Sequence, residues 1–216
     1  MSVQPPPPPS TPPPSASPAS PAPGGYPVTM TFDLPDRVAR WRPLVQWILA
    51  IPHLVVLWAL GVVAGVVVVI AWFTGVILGK VPRTLLDLIA MYLRYSASVN
   101  AYAGFLHGTY PPFAIDASTA DPGKDPHVHV DVVPQVEDRS RLTIFLRFFM
   151  LIPQLVVLWF VSFAAGIVWI IAFFAVIVLG RWPEGLREFV LGYLRWNQRV
   201  AAYAYLLTDD YPPFSL

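Results

Sequence analysis

The chain has 216 residues, 56% of them hydrophobic and only 12% charged, against roughly 25% charged in an ordinary soluble domain. That balance marks a membrane protein. A net charge of +1, with no Lys/Arg cluster interleaved with aromatics, excludes nucleic acid as a partner, and the absence of cysteine excludes disulfides, thiol catalysis and thiolate metal sites.

Residues 1–25, "MSVQPPPPPSTPPPSASPASPAPGG", have neither a basic start nor an apolar core, so they are not a secretory signal. Their proline removes backbone donors and the Ser, Ala and Gly bury nothing, which predicts a disordered tail acting as a passive spacer. Tyr26 to Phe32, "YPVTMTF", alternates as a short strand does. The uncharged run from Arg42 to Lys80 follows, with Pro52 inside it. Gly79 suits a helix end and Pro82 the first turn of the next helix. From there Arg83, Asp87, Arg94 and Ser98 share one helical face, while Leu85, Leu86, Ile89 and Leu93 line the other. Such a helix is expected to lie in the headgroup region with its apolar side down. "YPPF" at Tyr110 to Phe113 then stops it.

Sliding the chain by 101 positions repeats everything. "LAIPHLVVLW" meets "MLIPQLVVLW", Gly79 meets Gly180, Pro82 meets Pro183, Arg94 meets Arg195, and Tyr110 meets Tyr211. The chain is a tandem duplication. Its parts read as the tail at 1–25, one unit at 26–116, a linker at 117–126, and a second unit at 127–216.

The two apolar runs hold 37 and 33 uncharged residues. A straight helix of the longer run would measure about 55 Å against a hydrocarbon core of about 30 Å. This favours two short spans per run, turning at "LGVVAG" (Leu60 to Gly65) and "VSFAAG" (Val161 to Gly166). If each run crossed once, seven Lys/Arg would lie on each side. As hairpins, all fourteen share one side, which the positive-inside rule makes cytoplasmic. The expected fold is therefore mainly α and membrane-integral. It has two tandem repeats, each a short strand, a transmembrane helical hairpin with a Pro kink, an amphipathic interfacial helix and a YPPF segment. The small-x-x-x-small pairs Gly61/Gly65 and Ser162/Gly166 are expected to let helices approach closely near the tips.

Polyproline II geometry, three residues per turn, puts Tyr110 beside Phe113 and Tyr211 beside Phe214, and these rings are the candidate interfacial anchors. His53 and Gln154 each follow a mid-run proline, where a polar side chain can serve the backbone carbonyl that proline leaves unpaired. His127, His129 and Asp131 share one strand face, but their counterparts are Tyr26, Val28 and Met30, so a solvated face is expected in place of a metal site. No catalytic, cofactor-binding or metal residue is assigned, and no enzyme is expected: no phosphate loop, nucleophile elbow or zinc helix motif is present.

Arg40/Arg141, "IPHLVVLW"/"IPQLVVLW", "LGKVP"/"LGRWP", "RYSASVNAYA"/"RWNQRVAAYA" and "YPPF" together resemble the uncharacterised bacterial membrane-protein family called domain of unknown function 4389. The resemblance covers Tyr26 to Leu216 and carries no activity or catalytic residue with it. The first unit departs from the second at Ser98 and Asn100, where Arg199 and Ala201 stand. The expectation is a non-enzymatic scaffold or membrane organiser, multi-pass in a bacterial cell membrane with both termini cytoplasmic. Its partners would be the bilayer and a homo-oligomer or membrane protein. The alternative is a small transporter or channel subunit acting as an oligomer.

Overall fold

In the computed structural model the described residues are 25–216, so the proline-rich tail, Gly25 excepted, lies outside them. Helix α1 spans Arg42–Leu78 and helix α3 spans Arg141–Leu179, and each is unbroken. The expected turns at Leu60 to Gly65 and Val161 to Gly166 do not form. A reversal there would strand about four N–H and four C=O groups among apolar side chains, and the two stretches offer only the Ser162 hydroxyl to cap them. Continuing the helix satisfies them all, even through Pro52 and Pro153. The charge count that favoured hairpins loses its premise with them.

The chain reverses at the glycines. Gly79 (φ 71°) and Gly180 (φ 69°) take the left-handed conformation, and their N–H groups donate to the carbonyls of Gly75 and Val176. Pro82 and Pro183 then stand immediately before α2 (Arg83–Ala103) and α4 (Glu184–Ala204). Helical hairpins therefore exist, but they are α1–α2 and α3–α4.

The YPPF segments are not what stops α2 and α4. Both helices end earlier, at left-handed Phe105 (φ 48°) and Leu206 (φ 67°). The next N–H in each case, Leu106 or Leu207, reaches back to Ala101 or Ala202 at 3.1 and 3.0 Å, the 6→1 bond of a Schellman ending. A bulky residue there costs about 1–2 kcal/mol, which burial of both side chains offsets.

Three layers follow. Helix α2 retraces α1: Gln46 meets Tyr102, His53 meets Tyr95, and Gly61 lies against the Tyr92 ring. Helices α1 and α3 run antiparallel, since Gly79 at the end of α1 accepts from Arg139 before α3, and Gly180 at the end of α3 accepts from Val38 before α1. Strands β1 (Val28–Phe32) and β2 (Val128–Val132) pair antiparallel, Met30 opposite Val130. Val28, Met30, Val128, Val130 and Val132 point into the core, and Thr29, Thr31, His129 and Asp131 point away. The strands touch α2 and α4 and neither α1 nor α3. They do so crosswise: β2 rests on α2, and β1 on α4.

Of the expected small residues Gly61 lies against a neighbouring helix, at the Tyr92 ring, and the others do not. A Cβ on Gly65 or Gly166 would meet nothing within 4 Å, and the Ser162 hydroxyl turns back to the carbonyl of Trp159. Between α1 and α3 the tight position is Gly75, where a Cβ would come within 2.8 Å of Ile144 Cδ1. Gly75→Leu is expected to cost about 1–3 kcal/mol by overpacking, whereas Gly65→Leu stays within about 0.5 kcal/mol. Thermal unfolding in detergent distinguishes them, and equal melting curves would remove the α1–α3 contact from this account.

Candidate functional site: an apolar face with polar nodes behind it

Helices α1 and α3 are long and apolar enough to cross a membrane. Their buried residues form a single stripe, in α1 Gln46, Ala50, His53, Ala64, Val67, Ala71 and Gly75, and the remainder of each surface is open. Trp58 is 73% exposed, Ile77 63%, Phe148 70% and Val178 67%. Monomeric soluble proteins rarely present a contiguous apolar surface this long.

Behind the face, each mid-helix proline is followed by a polar node. In the first unit His53 Nδ1 lies 2.7 Å from the Tyr95 hydroxyl, with the Phe113 ring stacked on the imidazole at 4.3 Å and Tyr110 at 4.5 Å. In the second, Gln154 accepts from Trp196 Nε1 at 3.0 Å and donates to the carbonyl of Pro212, while Phe214 packs on Trp196 and Tyr211 on Tyr203. His53 and Gln154 thus each bond to the neighbouring helix, and meet the YPPF segment by ring contact and by hydrogen bond respectively. They do not serve the carbonyls of Ile48 and Phe149, as expected from the sequence.

The four candidate anchors come together as ring pairs, Tyr110–Phe113 at 6.2 Å and Tyr211–Phe214 at 6.1 Å, each ring about half exposed. Neither Tyr110 nor Tyr211 uses its hydroxyl in a hydrogen bond among the described residues. Tyr110→Phe and Tyr211→Phe should therefore leave stability unchanged, while the paired Ala variants lose about 1–2 kcal/mol and expose residues 101–107 and 202–208 to hydrogen exchange. Equal damage from the Phe variants would assign the hydroxyls a specific contact.

The polar faces of α2 and α4 bind backbone. Arg94, only 6% exposed, donates to the carbonyls of Val130, Ser118, Thr119 and Ala120 and lies 3.7 Å from Asp121. Ser98 is buried as well. The face expected to meet lipid headgroups is instead covered by β2 and the linker. Arg195 donates to Met30 and sits over the Phe32 ring at 5.4 Å. A second cluster joins Arg139 and Arg147 to one oxygen of Asp209, with Arg147 also donating to the carbonyls of Tyr203 and Thr208. Gln46 stands where Arg147 does in the repeat and donates to the matching carbonyls of Tyr102 and His107 at 2.7 Å each. These arginine roles were missed from sequence, because the partners of Arg94, Arg147 and Arg195 all lie more than twenty residues away; the recurrence of Arg94 as Arg195 at the 101-residue offset was the available signal, and Arg147, which Gln46 replaces, gave none.

His127, His129 and Asp131 are each engaged separately: His127 with the Asp33 carbonyl and Thr109, His129 with Asp121, and Asp131 with the Asp121 amide. Among the described residues no three His, Asp or Glu side chains form a metal-binding group.

His107 is buried with both ring nitrogens unpartnered among the described residues, its ring 4.6 Å from that of His127. Burial lowers its pKa from 6.5 to about 4, the His127 charge adding to the effect. Because the folded value lies below the unfolded one, the neutral ring's contribution is full above pH 6.5 and is lost as pH falls towards 4. That contribution amounts to about 3 kcal/mol. His107→Phe should flatten this limb of the stability–pH curve, and an unchanged limb would assign it to other groups.

No curated protein and no solved structure matches the chain. One family does, over 40–114 and again over 141–215, which covers both hairpins and both YPPF segments. On those two matches the chain belongs to the family described as Domain of unknown function (DUF4389), present as two tandem units.

Proposed function

We propose that this is an integral membrane protein without enzymatic activity that organises or scaffolds the bilayer. The carrying observation is the apolar face of α1 and α3, continuous along both helices, behind which the arginines and glutamines hold the chain's own carbonyls. A surface of that kind meets lipid, and polar groups committed in this way position a fold and leave no reacting constellation. The membrane is read here as a bacterial cell membrane. The polar strand layer is assigned to its cytoplasmic side.

A second reading, a small channel or transporter subunit completed by oligomerisation, draws on His53 Nε2, which is buried without a partner among the described residues. Reconstitution into liposomes decides between them. Altered vesicle shape without ion or solute flux supports the organiser, and flux that His53→Gln abolishes supports the pore.

A further inference from the structure

We propose that α1 and α3 do not cross the bilayer but lie along it, sunk in a single leaflet, with the strand layer and all fourteen basic residues towards one aqueous side. This deepens, and rests on, the reading that the apolar face meets lipid.

The layer order carries the argument. The apolar helices form one outer layer, α2 and α4 the middle, and the strands with their linkers the other outer layer, since the strands touch only α2 and α4. Position along the axis then excludes an upright pose. Helix α2 retraces α1, and Arg94, halfway along α2, holds β2 and the linker. Arg195, halfway along α4, holds β1. The strand layer therefore sits level with the middle of the long helices.

Were α1 upright, that midpoint would be the centre of the hydrocarbon. Arg94, Asp121, Asp131 and the exposed Lys124–Asp116 pair would lie there, at roughly 2.5–3.5 kcal/mol per charge on insertion scales. Length argues the same way. Thirty-seven residues make about 55 Å of helix against about 30 Å of core, whereas a helix about 10 Å across fits within one leaflet of about 15 Å.

Charge completes the picture. One end of the antiparallel pair carries exposed Arg37, Arg40 and Arg181, and the other carries exposed Lys80, Arg83 and Arg141. Lying flat, both basic ends reach the same layer of lipid phosphates. The charge imbalance that suggested hairpins is thereby recovered without any reversal inside the apolar runs.

The chain has no native cysteine, so single nitroxide labels can be placed by Val55→Cys, Val62→Cys and Val69→Cys. These positions share one stripe of α1 and are 61%, 55% and 56% exposed. The full-length protein is reconstituted in phosphatidylcholine–phosphatidylglycerol vesicles, and label depth is read by power saturation with oxygen and a nickel chelate. In-plane embedding predicts three depths that agree within a few ångströms, all in one leaflet. An upright helix separates Val55 from Val69 by about 20 Å, and one tilted enough to fit the core still separates them by about 10 Å. Either gradient overturns the proposal while leaving the lipid reading intact. Labels shielded from oxygen but broadened by a neighbouring label would show a second copy covering the face, and loss of the protein from the vesicles would show no lipid contact. Both of those outcomes overturn the lipid reading as well.

Discussion

Asp209→Ala is expected to cost about 3–5 kcal/mol. The carboxylate is the shared acceptor of Arg139, whose side chain is fully buried, and of Arg147, whose side chain is 4% exposed, and its second oxygen accepts from the Ser140 amide that opens α3. Removing it leaves two guanidinium groups facing each other out of water. Asp209→Asn keeps the amide contact without the charge and should fall between. Asp210→Ala, at an exposed neighbour whose carboxylate holds no partner among the described residues, should stay within about 0.5 kcal/mol. Chemical unfolding in detergent ranks the three. A ranking with Asp209→Ala no worse than Asp210→Ala would strip the cluster of any stabilising role.

Arg94→Met is the second large effect, expected near 3 kcal/mol. It keeps most of the aliphatic volume, so the loss comes from four carbonyls deprived of their donor and from Asp121, 9% exposed, deprived of its cation. The damage should be local as well as global. Limited proteolysis of the variant is expected to cut within residues 117–126, where the linker loses its attachment to α2. A linker as resistant as the native one would place its anchorage elsewhere.

What could be read in advance was local or periodic. The 101-residue offset, the left-handed glycines at 79 and 180, the prolines that follow them and the alternation of both strands all depend on near neighbours in sequence. The interior of the apolar runs was read wrongly for a physical reason. Residues 60–65 contain small side chains, which are compatible with a turn, but compatibility does not supply the capping groups a turn requires in an apolar medium. Counting Lys/Arg by side also assumed that each run crosses the membrane, once or as a hairpin. Arg94, Arg147 and Asp209 could be seen to recur or to carry charge, yet what they touch is set by packing between distant segments. The face of α2 containing Arg94 and Ser98 has the spacing of a solvated surface, and only the tertiary arrangement covers it.

The crosswise seating of the strands bears on how such a chain arises. The strand that begins the first unit rests on the helix of the second, and the reverse holds for its counterpart, so neither half contains its own complement. A lone unit would expose a bare helix face and an unpaired strand. Two identical lone units related by a twofold axis would rebuild the whole arrangement by exchanging strands. The present chain has the form of an obligate domain-swapped dimer whose protomers have been fused. Fusion lifts the symmetry that identical copies impose, and the interior records this in Gln46 against Arg147, His53 against Gln154 and Ser98 against Arg199. The first two pairs perform related work with different chemistry, a divergence open to two halves of one gene and closed to two products of the same one.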